Sequence, residues 1–183
     1  MKKIIALCSL ILGLSLQAQA AIMQVSLDKS TYQLNDLVKA ELKIRDYSKG
    51  VSIYQFDLRY LLSALSLQNV VFGPYLATPV VQGFDFYPDD TLSVYELNTD
   101  MNIDLAALQN DNFTVATLTF KVLQTGQFDL NLFGGLLGDT AGNSIDDIMF
   151  LSSTIDVQGT EVPTPATALL LLPALFLLHR RKN

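Results

Sequence analysis

Cysteine is nearly absent from this 183-residue chain, and tryptophan is absent altogether. The single cysteine, Cys8, and the single histidine, His179, both sit close to an end of the chain. A segment between them can therefore hold no disulfide, thiol nucleophile or thiolate metal ligand. It can hold no Ser-His-Asp or Cys-His constellation, and no histidine-based zinc or copper site. Positive charge is also scarce. Between Ala21 and Glu161 there are seven basic and eighteen acidic residues, a net charge of −11, and after Arg59 only Lys121 is basic before Arg180. Such a surface repels phosphate backbones, which excludes DNA and RNA as partners.

Half of the residues are hydrophobic, but long apolar runs are confined to the two ends. Lys2 and Lys3 precede an uncharged run from Ile4 to Leu16, followed by Ala18-Gln19-Ala20. That order predicts a signal peptide over residues 1–20, cut after Ala20. The competing reading, an uncleaved anchor, needs a longer run of roughly 20 apolar residues. At the other end, residues 158–165 read as a linker and proline motif, ending Val162-Pro163-Thr164-Pro165. Residues 166–178 are apolar and residues 179–183 form a basic tail with Arg180 and Arg181. The prolines hold an extended, accessible segment, the apolar stretch partitions into a bilayer, and the basic end stays cytoplasmic. This arrangement resembles the PEP-CTERM sorting signal, departing from it at Thr164, where that family usually carries Glu. The resemblance implies recognition of Val162, Pro163, Pro165, Arg180 and Arg181 by an exosortase-type processing enzyme in the inner membrane. A plain C-terminal membrane anchor is the alternative. Either way the expected location is outside the cytoplasmic membrane, anchored transiently or stably, then at the cell surface or beyond.

The remaining segment, residues 21–157, alternates with a period of two. In Leu37 to Asp46, Val38, Ala40, Leu42 and Ile44 share one face, and Lys39, Glu41, Lys43 and Arg45 the other. Tyr54, Phe56, Leu58 and Tyr60 oppose Gln55, Asp57 and Arg59; Ala116, Leu118, Phe120 and Val122 oppose Thr117, Thr119 and Lys121. Phe128, Leu130 and Leu132 share a fourth such face, and weaker strands are expected at Met23 to Leu27, Leu65 to Phe72, Thr91 to Leu97 and Phe150 to Val157. Asn35-Asp36, Lys49-Gly50, Gly73-Pro74, Asp89-Asp90, Thr125-Gly126 and Gly134-Gly135 read as breaks between strands. Only Ile103 to Gln109 reads as a helical turn. The pattern predicts an all-β, antiparallel sandwich.

The order of these pieces, TYQLNDLVKAELKI (Thr31 to Ile44), YQFDLRY (Tyr54 to Tyr60), VATLTFKVLQTGQFDLNL (Val115 to Leu132) and LLGDTAGNSI (Leu136 to Ile145), resembles the cohesin-type domain. The resemblance implies a jelly-roll of about nine strands that binds a dockerin-like protein through one sheet face. It also implies kinship with domains of exopolysaccharide-associated proteins.

Candidate sites follow from side-chain chemistry. Gln55, Asp57 and Arg59 offer a polar strand face to a partner, or a merely wet one. Tyr75 and Tyr87, in a stretch read as a loop with Gln82, Phe84, Asp85 and Phe86, could stack on a polysaccharide or plug one end of the sandwich. Asp139, Asn143, Asp146 and Asp147 cluster oxygen atoms that suit calcium, or build an Asx-rich turn. The adjacent pairs Asp89-Asp90 and Asp146-Asp147 point apart too readily for glycosidase chemistry. No catalytic residue and no required cofactor emerges. Three functions stay open: a non-catalytic exported surface or matrix protein acting by protein or polysaccharide binding, a cohesin module for a dockerin-bearing partner, and a degenerate polysaccharide-active enzyme or its accessory module. Mass spectrometry of the protein from its host should show a mature N-terminus at Ala21; a terminus at Met1 refutes the leader.

Overall fold

A computed structural model describes residues 20–100 and 102–159. The leader and the proline-to-arginine tail, with Val162, Pro163, Pro165, Arg180 and Arg181, lie outside the described residues; Ala20 is the first residue described. The strands are β1 (Ala21–Leu27), β2 (Tyr32–Gln33), β3 (Leu37–Arg45), β4 (Val51–Arg59), β5 (Leu65–Phe72), β6 (Val80–Tyr87), β7 (Thr91–Asn98), β8 (Asn112–Val122), β9 (Gly126–Asp139), β10 (Ile148–Leu151) and β11 (Ser153–Gln158). One helical turn, α1 (Leu105–Leu108), is capped by Asp104, whose Oδ1 accepts from the Ala107 amide at 3.2 Å.

The strands form two sheets, ordered β10-β1-β3-β8-β5 and β2-β11-β9-β4-β7-β6. Most neighbours are antiparallel, as the alternation predicts. Two short parallel pairings, β1 with β10 and β11 with β2, extend the two sheets, which gives eleven strands rather than about nine. The expected single strand Phe150 to Val157 is two. It breaks at Ser152, whose Oγ accepts from the Leu132 amide at 3.0 Å, and the chain crosses there from one sheet to the other.

Burial follows parity. Val38, Ala40, Leu42 and Ile44 of β3 are fully buried, as are Tyr54, Phe56 and Leu58 of β4 and Leu118, Phe120 and Val122 of β8. In β8 the parity changes once: Val115 and Ala116 are both buried although adjacent. The register skips between Leu42 and Lys43, which pair with Ala116 and Thr114, so Val115 is the extra residue of a bulge. That keeps Phe113 and Val115 on the core side with the later residues.

Two sequence expectations are corrected. Gly134-Gly135 does not end a strand; both residues lie inside β9 beside a second bulge, where the pairing shifts between Asp57 and Leu58. A glycine is needed at Gly135 because a Cβ there would meet the backbone carbonyl oxygen of Gln55 at 2.5 Å, with Met23 Cε behind it at 2.8 Å. The stretch Val80–Tyr87, read as a loop, is edge strand β6. Its two faces, Val80-Gln82-Phe84-Phe86 and Val81-Gly83-Asp85-Tyr87, lack the polar contrast that marks a half-buried strand.

The described ion pairs, Lys29–Asp36 at 3.8 Å and Lys43–Glu41 at 2.7 Å, are solvent-facing and contribute little. Stability therefore rests on core packing. Phe120 is fully buried and meets Tyr60 edge to face, with centroids 4.9 Å apart. Phe120→Ala should lower unfolding free energy by about 3–5 kcal/mol in urea titration; a loss under about 1 kcal/mol would contradict this packing.

Candidate docking face

The outer face of β9-β4-β7-β6 is assembled by register. Its rows run Val81–Leu97–Ile53–Gly138, Gly83–Tyr95–Gln55–Leu136, Asp85–Ser93–Asp57–Gly134 and Tyr87–Thr91–Arg59–Asn131. The first two rows are mainly apolar. Val81, Leu97 and Leu136 are 55%, 37% and 43% exposed, which is unusual for three neighbouring aliphatic side chains. With Ile53, Gln55 and Tyr95 they line a shallow depression of about 250 Å³. Gly83 makes room for it: a Cβ at that position would meet the Tyr95 hydroxyl at 2.7 Å, so the phenol lies across β6.

The last two rows are polar. Asp57 accepts from Gln55 Nε2 at 2.9 Å, and Asp85 lies two strands away in the same row. Arg59 stacks on Phe133, with the guanidinium carbon 4.8 Å from the ring centroid. Phe133 is the extra residue of the β9 bulge, which is why it stands on the outer face beside Arg59. The face thus offers an apolar anchor site at one end, with two carboxylates and one cation at the other.

Gln55, Asp57 and Arg59 stand where alternation places them. The apolar half of the face was missed in the sequence because its residues come from four strands. The one local signal was β7, where Leu97 and Tyr95 sit on the face opposite Leu92 and Val94, so that both faces carry apolar groups.

The two tyrosines singled out for sugar stacking are not brought together. Tyr75 precedes β6 and packs on Phe113, with centroids 5.5 Å apart. Tyr87 ends β6 and is exposed. The intervening extended strand separates them by on the order of 20 Å. The pair Asp89-Asp90 forms the β6–β7 turn, with φ of 70° and 58°, a left-handed backbone that Asp tolerates.

The acidic loop after β9 uses its oxygens internally. Asp139 Oδ1 accepts from the amides of Ala141 at 2.9 Å and Asn143 at 2.8 Å, and Oδ2 accepts from Asn143 Nδ2 at 3.0 Å. These bonds, those from Asn143 foremost, hold the Asp139 carboxyl below the usual carboxylate range. Asp146 accepts from Ser144 Oγ at 2.7 Å, and Asp147 serves through its backbone carbonyl, which accepts from the Ala21 amide at 3.0 Å. Among the described residues no three His, Cys, Asp or Glu side chains converge on a metal position.

No protein-family model and no curated protein matches this chain. Among solved structures, the fold is that of cohesin-type β-sandwiches. A chain of a type I cohesin–dockerin complex from Clostridium thermocellum superposes with a TM-score of 0.63 at 14% identity, over 77% of this chain and 95% of that one. A type II cohesin domain from the cellulosome of Acetivibrio cellulolyticus gives 0.65 at 17%, over 75% and 95%. A non-cellulosomal cohesin from the archaeon Archaeoglobus fulgidus gives 0.60 at 16%, over 78% and 94%. At these identities the likeness is one of fold.

A lowered carboxyl pKa contributes stability above the ordinary value near 3.8, lost as pH falls through the folded value. Asp139→Ala should therefore lower the melting temperature at pH 7, and by less at pH 3. The decrease should be equal with millimolar calcium and with chelator. A calcium-dependent decrease would make the loop a metal site instead of a turn.

Proposed function

We propose that this chain is an exported, non-catalytic binding module that receives a protein partner, a dockerin-like domain, on the outer face of β9-β4-β7-β6. The observation that carries the reading is the exposed cluster of Val81, Leu97 and Leu136 around the depression at Ile53 and Tyr95. Scattered aliphatic groups are exposed on the other sheet as well, but here three of them adjoin one depression at one end of the face. Tyr75 and Tyr87 do not form a shared stacking platform, so the pair gives the polysaccharide reading no support. The cohesin-type fold adds weight, since similar chains come from complexes with dockerins.

The face defines the partner's chemistry. An aliphatic or aromatic side chain fills the depression, a basic side chain meets Asp57 and Asp85, and an acceptor or carboxylate meets Arg59. The leader and tail place the module outside the cytoplasmic membrane in this reading. An exosortase-type enzyme processes the tail, after which the module stands at the cell surface or in the extracellular matrix. A retained tail would make it a membrane-anchored cohesin-like module with the same face.

Val81→Asp combined with Leu97→Asp tests the reading. The two positions are solvent-facing, so the melting temperature should move little. Calorimetry against purified type I and type II dockerins should show binding by the wild type and a loss of at least roughly 100-fold in the variant, the scale of removing central anchors. Binding unaffected by the two aspartates, or retention on insoluble glycan with no dockerin bound, would reject it.

A further inference from the structure

Beneath the docking face lies an acid that the docking role does not use. Glu96 is on the inward side of β7, between Val94 and Asn98, and is only 2% exposed. Its ladder partner in β4 is Tyr54, and Glu96 Oε2 stands 2.8 Å from the Tyr54 hydroxyl. The same hydroxyl is 3.1 Å from the carbonyl oxygen of Val115, the bulge residue of β8 in the opposing sheet. That carbonyl also accepts from the Gly73 amide at 2.7 Å.

We infer that Glu96 is a proton-holding group of the core, and that its proton completes a bridge between the two sheets, so that mild acid tightens the domain and alkali loosens it. A phenol has one hydrogen to give. If Glu96 is ionised, Tyr54 must turn that hydrogen to the carboxylate. The cross-sheet bond to Val115 is then lost, and a charge stays in the core with one donor and no cation. If Glu96 holds its proton, it donates to Tyr54, Tyr54 donates to the free lone pair of Val115, and each hydrogen has an acceptor. A buried charge with so little compensation is expensive, which favours the second arrangement.

The surroundings supply no rescue. From β4 the titratable group facing Glu96 is Tyr54; from β6 its ladder partner is Gln82; β8 offers the Val115 carbonyl to the Tyr54 hydroxyl; its own strand offers Val94 and Asn98. No charged side chain acts on it among the described residues. Burial raises the Glu96 carboxyl above its ordinary 4.5, outweighing the opposing hydrogen bond from Tyr54. Burial also raises the Tyr54 phenol, so the hydroxyl stays protonated throughout.

The direction of the effect follows from linkage. A group whose folded pKa is raised contributes stability that is complete below its unfolded value, here near 4.5, and is lost as pH climbs through the folded value. This window lies above the one in which Asp139 acts, so the two can be separated. Tyr54 and Glu96 are also among the residues bordering the docking depression, and this proton count is that of the face with no partner bound.

Two measurements test it on the protein expressed from the whole chain. In the first, carbon-13 NMR follows the Glu96 side-chain carboxyl of the wild type; its midpoint should lie above 4.5, and a midpoint at or below 4.5 overturns the inference. In the second, melting temperatures of wild type and Glu96→Gln are compared from pH 4.5 to pH 8. The glutamine amide can donate to Tyr54 as the protonated acid does. The variant should gain on the wild type as pH rises, by roughly 2–5 °C across the range. A gap that stays constant, or shrinks with rising pH, overturns it. Should Glu96→Gln fail to fold, the wild-type titration still decides.

Discussion

Face-to-face burial between β4 and β8 is the constraint on which the rest of this structure depends. The described domain has no cysteine and few ion pairs, so nothing covalent or electrostatic stands in for the core. Tyr54, Phe56 and Leu58 from one sheet must meet Phe113, Val115, Leu118 and Phe120 from the other without gaps, because interiors are packed to crystal density. The bulge at Val115 is what lets β8 keep its apolar residues inward along eleven residues while staying in register with β3. It also brings the Val115 carbonyl within reach of Tyr54, which links the packing of the core to its one buried acid.

The same geometry separates the two outer surfaces. Outside the five-stranded sheet, Arg45 of β3 donates to Gln24 of β1 and Asn112 of β8, at 2.9 and 3.1 Å, which holds its side chain along the sheet. Outside the six-stranded sheet, aliphatic groups gather at one end, with Asp57, Asp85 and Arg59 toward the other. Exposed aliphatic groups stand on both outer surfaces, Leu37, Val71 and Met149 on the five-stranded sheet among them, but on the six-stranded sheet Val81, Leu97 and Leu136 adjoin one depression. That clustering, rather than any reactive group, is what the proposed binding role rests on.

Particular elements show how far the sequence could be read. Strands β3, β4 and β8 declare themselves by alternation, since each has one face of hydrocarbon and one of charge or hydroxyl. Gln55, Asp57 and Arg59 could be placed on an outer surface for the same reason. Strand β6 was hidden because aromatic and aliphatic residues occupy both of its faces, as suits an edge whose inner side reaches past the core. The pair Gly134-Gly135 reads as a break because glycine that yields space to a neighbouring strand's backbone, here the Gln55 carbonyl, looks, in sequence, like glycine that turns a chain. The acidic loop was legible as oxygen-rich, but whether its oxygens face a metal or neighbouring amides depends on the path of the backbone.

The sequence by itself determined what lies inside: a period of two settles which side chains of each strand turn to the core, because a pleated backbone leaves no other choice. It also determined, through its missing cysteine and histidine, what chemistry the domain lacks. Only the tertiary structure decided which strands become neighbours, and therefore that Val81, Ile53, Leu97 and Leu136, distant along the chain, share one depression. Strand pairing depends on backbone groups that every residue carries alike. Local sequence therefore says which way a side chain faces, and not beside whom it will stand.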